Sequence, residues 1–77
     1  KQKDDEGNVI LGENVLTYDT RNCIVNLSKE KVAVLQGLDG YIVAESNDTL
    51  MICRKEDEQQ IKQFVTDVRI QKGDSLV

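Results

Sequence analysis

Between Val32 and Cys53 the chain repeats one device three times. The apolar runs Val32-Ala33-Val34-Leu35, Tyr41-Ile42-Val43-Ala44 and Leu50-Met51-Ile52-Cys53 each begin nine residues after the last. Gln36-Gly37-Leu38-Asp39-Gly40 and Glu45-Ser46-Asn47-Asp48 separate them, and both are rich in turn-forming residues. Runs of four with β-branched and aromatic residues, bounded by Gly, Asn and Asp, are too short for helices and read as consecutive short β-strands. This stretch confines the chain to a short-stranded, mainly β architecture.

The same spacing extends upstream in looser form. Val9-Ile10-Leu11, Val15-Leu16 and Cys23-Ile24-Val25 begin further runs, and an Asn stands immediately before each apolar pair, at Asn8, Asn14 and Asn22. Asn suits corners because it tolerates left-handed backbone angles and hydrogen-bonds locally. From Val9 to Leu50 the run starts step by six, eight, nine, nine and nine residues. Such steps fit a coiled β-solenoid or an antiparallel meander, and periodicity alone leaves the two equal. Ser28-Lys29-Glu30-Lys31 reads as a solvated connection, with Lys29 and Lys31 free in water. Residues 1–7 are polar and begin without Met, which suggests a cut end; the strands then occupy 8–54.

After Cys53 the period changes. Ile61, Phe64, Val65 and Val68 fall on one face of an α-helix, expected over 56–69, with residues 70–77 as a tail. Asp57 and Gln60 have the spacing of a capping box, and Glu56, Asp57 and Glu58 lie where the helix dipole favours acids. Arg69 and then Gly73 mark the end. The apolar stripe needs a surface, and the β-layer upstream is the nearest one.

Chemistry is harder to find. The chain has no histidine, which removes the commonest general base and metal ligand, and its glycines form no phosphate-binding pattern. Asp39 and Asp48 could be catalytic carboxylates, but each sits in a turn sequence that accounts for it. Glu56, Asp57 and Glu58 could offer oxygens to a cation, yet the dipole explains them and no calcium-loop spacing accompanies them. Cys23 and Cys53 each lie inside an apolar run, as buried free thiols do; a single disulfide between them is the alternative. The net charge of −4, with scattered basic residues and three aromatics, gives no basis for nucleic-acid or anionic-membrane binding. No apolar segment approaches the length of a membrane span, so a cytoplasmic setting is the expectation. No catalytic, cofactor-binding or metal residue is therefore assigned. With 77 residues the core is small, which suggests part of something larger.

Four segments in order do resemble a family: Asn22-Cys23-Ile24-Val25, then Val32 through Gly40, then Tyr41 through Cys53, and finally Gln59-Gln60-Ile61-Lys62. Their succession is similar to the C-terminal part of bacterial mannose-1-phosphate guanylyltransferases, or GDP-mannose pyrophosphorylases, over about residues 8–68. Each piece is a weak motif, and the ordered combination carries the specificity. Gly40-Tyr41 and Glu45-Ser46 depart from the family pattern locally. The resemblance implies a single-stranded, left-handed β-helix-like module followed by one C-terminal α-helix. It also implies a preceding catalytic α/β domain that uses GTP and Mg²⁺ to convert mannose 1-phosphate to GDP-mannose and pyrophosphate. That domain's Gly-rich nucleotide loop and lysine-bearing sugar-phosphate motif are absent here. The module would thus pack on the catalytic domain and form a homodimer. It would otherwise be the linker of a bifunctional isomerase/guanylyltransferase, or a free-standing interaction module.

Overall fold

The computed structural model describes residues 3–73. Among the described residues six strands, β1 (Val9–Leu11), β2 (Asn14–Tyr18), β3 (Ile24–Asn26), β4 (Val32–Gln36), β5 (Tyr41–Ser46) and β6 (Thr49–Arg54), are followed by a 3₁₀ segment, Lys55–Gln60, and one helix, α1 (Ile61–Lys72). Consecutive strands do not pair until the last two. β1, β3 and β5 stack in parallel in one sheet, which β6 extends, while β2 and β4 pair in parallel in a second. A chain that alternates between two parallel sheets is a coil, so β1 to β5 form a solenoid whose turn contains two of the sequence runs.

The register gives the period. Asn14 pairs with Val32 and Ile24 with Ile42, in each case eighteen residues on. Val9 pairs with Ile24 only fifteen residues on, because the link from β1 to β2, residues 12–13, is three residues shorter than the link from β3 to β4, residues 27–31. A third face is tied by backbone bonds at a corner: Asn22 N–H donates to Glu6 O (3.2 Å), Gly40 N–H to Arg21 O (3.0 Å) and Lys55 N–H to Gly40 O (2.8 Å).

The final nine-residue step is of another kind. Ser46 pairs with Thr49 across a two-residue loop, and Asn47 and Asp48 have φ of 51° and 63°. Positive φ at both central residues defines a type I′ turn, whose twist matches antiparallel strands. β6 therefore folds back on β5, in antiparallel register, instead of continuing into the second sheet. The solenoid is the arrangement adopted, and the antiparallel alternative is limited to this one hairpin.

Alternation places the core. Ile10, Val25 and Val43 form one row on the inner face of the first sheet; Val15, Thr17, Ala33 and Leu35 point inward from the second. Cys23, Val25, Leu27 and Val43 are the buried centre, with Ile10, Val15, Ala33, Leu35, Leu38 and Tyr41 packed around them. Gly12 brings the two walls close: with φ of 154°, a Cβ there would stand 3.1 Å from Val15 Cγ2 and 3.3 Å from Leu27 O.

The segment before β1 is tied down. Asp4 N–H donates to Asn8 O (2.8 Å) and Gly7 N–H to Asp4 O (3.0 Å), closing a turn over the first coil. One Asp4 carboxylate oxygen accepts from the N–H groups of Glu6 (3.0 Å) and Asn8 (2.8 Å), and the other from Asn8 Nδ2 (3.1 Å). These bonds, the Asn8 backbone N–H foremost, hold the Asp4 carboxyl below the usual aspartate range against an opposing effect of desolvation. The fully buried Asn8 also donates to Thr20 O (2.8 Å) and accepts from Cys23 N–H (2.9 Å). A polar plug thus closes this end of the coil by satisfying backbone groups that the strands leave unpaired.

The helix begins later than the sequence suggests, at Ile61, and runs through Ile70 to Lys72. Asp57 does not cap it: its φ of −106° marks a kink between two 3₁₀ turns, and no side chain caps either the 3₁₀ segment or α1. Asp57 and Glu56 instead approach Arg54, at 4.0 and 3.3 Å. Gly73, with φ of 96°, ends the helix by donating its N–H to Arg69 O at 3.0 Å. The remainder of the expected tail, residues 74–77, lies outside the described residues.

Candidate functional site

Asp39, Asp48 and the acidic run Glu56-Asp57-Glu58 lie in three separate places and do not converge on one site. Asp39 stands at a solenoid corner, before Gly40 with its φ of 77°, and its Oδ1 accepts from Asn22 Nδ2 at 3.3 Å. Asp48 is the second residue of the type I′ turn. Glu56 and Asp57 pair with Arg54 on the surface. Among the described residues no group of three or more His, Cys, Asp or Glu side chains is arranged to hold a metal ion.

Cys23 and Cys53 are both buried and free. Cys23 belongs to the inner core, with its thiol 3.3 Å from Arg21 O and accepting from Tyr41 N–H at 3.4 Å. Cys53 pairs with Ile42 on the outer face of the first sheet. The sheet itself separates the two thiols, which leaves the disulfide alternative without a geometry.

Lys31 is not simply solvated. Its Nζ lies 3.4 Å from Glu45 Oε2, while Glu45 Oε1 accepts from Ser28 Oγ at 3.2 Å, and Asn14 Nδ2 donates to Lys29 O at 3.0 Å. The longer link between β3 and β4 is thereby stitched to both sheets. Neither its length nor its charges announce this in sequence, because Glu45 comes seventeen residues after Ser28.

What remains conspicuous is apolar surface. The outward positions of the second sheet are Asn14, Leu16 and Tyr18 on β2 and Val32, Val34 and Gln36 on β4. Register puts Leu16 beside Val34, and Val32 and Val34 are 73% and 65% exposed. Not one of the six is charged, in a chain of which 31% is charged. A contiguous uncharged face of this kind is characteristic of a surface that is covered. A second region lies at the far end of the solenoid. The inner row Ile10, Val25, Val43 continues in register to Ile52, yet Ile52 and Leu50 are 56% and 60% exposed. They face inward with no strand of the second sheet opposite, because that sheet stops at β4.

The outer face of β5 and β6 is covered in part. Ile61 and Val65 of α1 overlie Ala44, Thr49 and Met51, and Phe64 and Val68 extend the contact beside Ile52. No residue of α1 is fully buried, and open apolar clefts run along both sides of it. No helix among the described residues is long and apolar enough to cross a membrane.

Residues 12–68 match the family model for the mannose-phosphate isomerase/GMP-like β-helix domain. The chain belongs to this family. Among curated members of similar sequence, the alginate biosynthesis protein AlgA of Pseudomonas putida is 41% identical over 83% of this chain and 13% of its own length. The AlgA of Pseudomonas aeruginosa is 39% identical over 90% of the chain and 14% of its own length. A mannose-1-phosphate guanylyltransferase of Klebsiella pneumoniae is 29% identical over 82% of the chain and 13% of its own length. A crystal structure from Thermus thermophilus, described as a mannose-1-phosphate geranyltransferase, superposes with a TM-score of 0.68 at 26% identity, covering 87% of this chain and 20% of that one. The family's β-helix domain is thus a small part of each of these proteins. Together the matches identify the chain as a β-helix domain of the mannose-1-phosphate guanylyltransferase type.

Proposed function

We propose that this β-helix domain is the non-catalytic C-terminal packing and oligomerisation module of a longer, cytoplasmic mannose-1-phosphate guanylyltransferase. In the parent enzyme a separate α/β domain transfers GMP from GTP to mannose 1-phosphate with Mg²⁺, giving GDP-mannose and pyrophosphate. The observation that carries this reading is the uncharged outer face of β2 and β4, where Leu16, Tyr18, Val32 and Val34 are presented to water. A domain that leaves such a face open, and whose relatives are about six times its length by the coverage of their matches, has the surface expected of one element in a larger body.

Assay of the full-length polypeptide with GTP, mannose 1-phosphate and Mg²⁺ should yield GDP-mannose, whereas the 77-residue chain alone should yield none. Turnover by the short chain would overturn the division of labour. A second reading is a parent that also isomerises mannose 6-phosphate, with this module as the linker; the family description, which joins isomerase and guanylyltransferase proteins, favours it. Adding mannose 6-phosphate in place of mannose 1-phosphate, with its isomerisation to fructose 6-phosphate followed directly, separates the two.

A further inference from the structure

The two sheets of the solenoid are unequal. Among the described residues the first holds four strands, β1, β3, β5 and β6, and the second only β2 and β4. β1 with β2 and β3 with β4 make two complete levels, but β5 and β6 have no counterpart across the core. The reason is local: where the second sheet would receive its third strand, the Asn47-Asp48 turn sends the chain back along β5.

Two features mark the resulting gap. Among the described residues β4 pairs only with β2, so its other edge presents free backbone N–H and C=O groups. Leu50 and Ile52, on the inner side of β6, are 60% and 56% exposed: no second-sheet strand stands opposite them, and they share only an open cleft with Phe64, Val65 and Val68 of α1. A cleft lined by Leu27, Val32, Ala33 and Leu50, with Lys31, Glu45 and Asp48 at its rim, opens at the corner where the absent strand would begin. Backbone groups on one wall and apolar side chains on the other define an extended segment as the occupant: main-chain bonds to β4, and alternate apolar residues against Leu50 and Ile52.

We infer that the gap beside β4 accepts an extended strand from the remainder of the parent polypeptide, which completes the third level of the second sheet. This rests on the proposed function to the extent that a longer chain exists. The relatives' matched segments are 13% and 14% of their length, so most of such a polypeptide lies outside this domain. The occupant belongs to that remainder, which holds far more chain than one strand needs; a second copy seated at β4 is the outcome that the test separates.

Hydrogen–deuterium exchange over Val32–Gln36, read by mass spectrometry, tests this in the 77-residue chain and in the full-length polypeptide. Amides of β4 should exchange at least about tenfold more slowly in the full-length form. The Leu50→Lys/Ile52→Lys variant should abolish that difference and leave exchange in the short chain unchanged, since both side chains are exposed there. Equal β4 exchange in the two forms would overturn the inference. So would protection that rises with concentration in a short chain whose outer β4 face has been made polar by Val32→Thr and Val34→Thr, which would assign the edge, and not that face, to a second copy. The readout uses no turnover: a full-length protein without guanylyltransferase activity would defeat the proposed function and leave β4 to be judged separately.

Discussion

Asn8, Asn14 and Asn22 occupy the same place in the sequence pattern and do three different things. Asn22 takes the left-handed conformation expected of a corner, with φ of 57°. Asn14 is an exposed strand residue whose amide holds Lys29 O. Asn8 is buried and joins Asp4, Thr20 and Cys23 through both ends of its amide. Replacing Asn8 by Ala leaves the Cys23 N–H and the Thr20 carbonyl without their side-chain partner in a buried setting. Urea unfolding should therefore show a loss of about 2–4 kcal/mol. Asn14→Ala should cost less than about 0.5 kcal/mol by the same measurement, since water replaces the bond. Asp4 adds a dependence on pH. Its carboxyl titrates lower in the folded chain than its ordinary value of 3.8, so the folded state is favoured by its ionised form. That contribution is complete above the unfolded value and disappears as pH falls through the lower folded one. Asp4→Asn should accordingly flatten the decline of stability with acid below about pH 4, and leave the neutral-to-alkaline limb parallel to that of the parent sequence.

At the scale of elements, the legible signals were the short ones. Strand positions followed from the apolar runs, because a run of four between turn residues has few other uses. The apolar stripe of α1 followed from its helical period of about 3.6 residues. Pairing was not legible in the same way. The nine-residue step from Val32 to Tyr41 joins strands in different sheets, while the identical step from Tyr41 to Leu50 joins strands in one sheet. Only backbone angles at two residues distinguish them. In the first interval Gly37 and Gly40 turn separate corners; in the second, Asn47 and Asp48 turn consecutively and reverse the chain. Likewise Asp57 has capping-box spacing, but Arg54 and the 3₁₀ kink take it elsewhere. The roles of Asn8 and Glu45 depended on contacts between segments twelve or more residues apart and gave no local signal, whereas the bonds of Asp4 all fall within residues 4–8. The turn itself can be tested. Asp48 bears a side chain at φ of 63°, a conformation that costs non-glycine residues energy. Asp48→Gly should stabilise the hairpin by about 0.5 kcal/mol, as a higher midpoint in thermal unfolding. Gly12→Ala should act in the opposite sense, lowering stability by about 1–3 kcal/mol, since its Cβ would meet both Val15 and the Leu27 carbonyl.

The whole molecule has a core of Cys23, Val25, Leu27 and Val43, with Cys53 buried outside it, and more large apolar side chains in water than in that core. Leu11, Leu16, Tyr18, Ile24, Val32, Val34, Leu50, Ile52, Val65 and Ile70 are all exposed. A chain this small buries only about 60% of its unfolded surface, so there is little margin to offset such exposure. The cost is not spread evenly. Leu16, Tyr18, Val32 and Val34 share one face of the second sheet, where they cannot contribute to the core whatever their size, and where apolar surface drives association in the absence of its cover. The 77-residue chain on its own should therefore self-associate as concentration rises, by sedimentation velocity. The pair Val32→Thr and Val34→Thr keeps β-branched side chains on β4 and makes that face polar. It should restore a monomer while changing the unfolding free energy of the monomer by less than about 1 kcal/mol, because both positions are solvated before and after the change. In a longer polypeptide the same pair should have the reverse consequence, weakening the seating of the domain and exposing β2 and β4 to proteolysis. Association that persisted in the Thr pair would move the sticky surface to Leu50 and Ile52 at the open end of the solenoid.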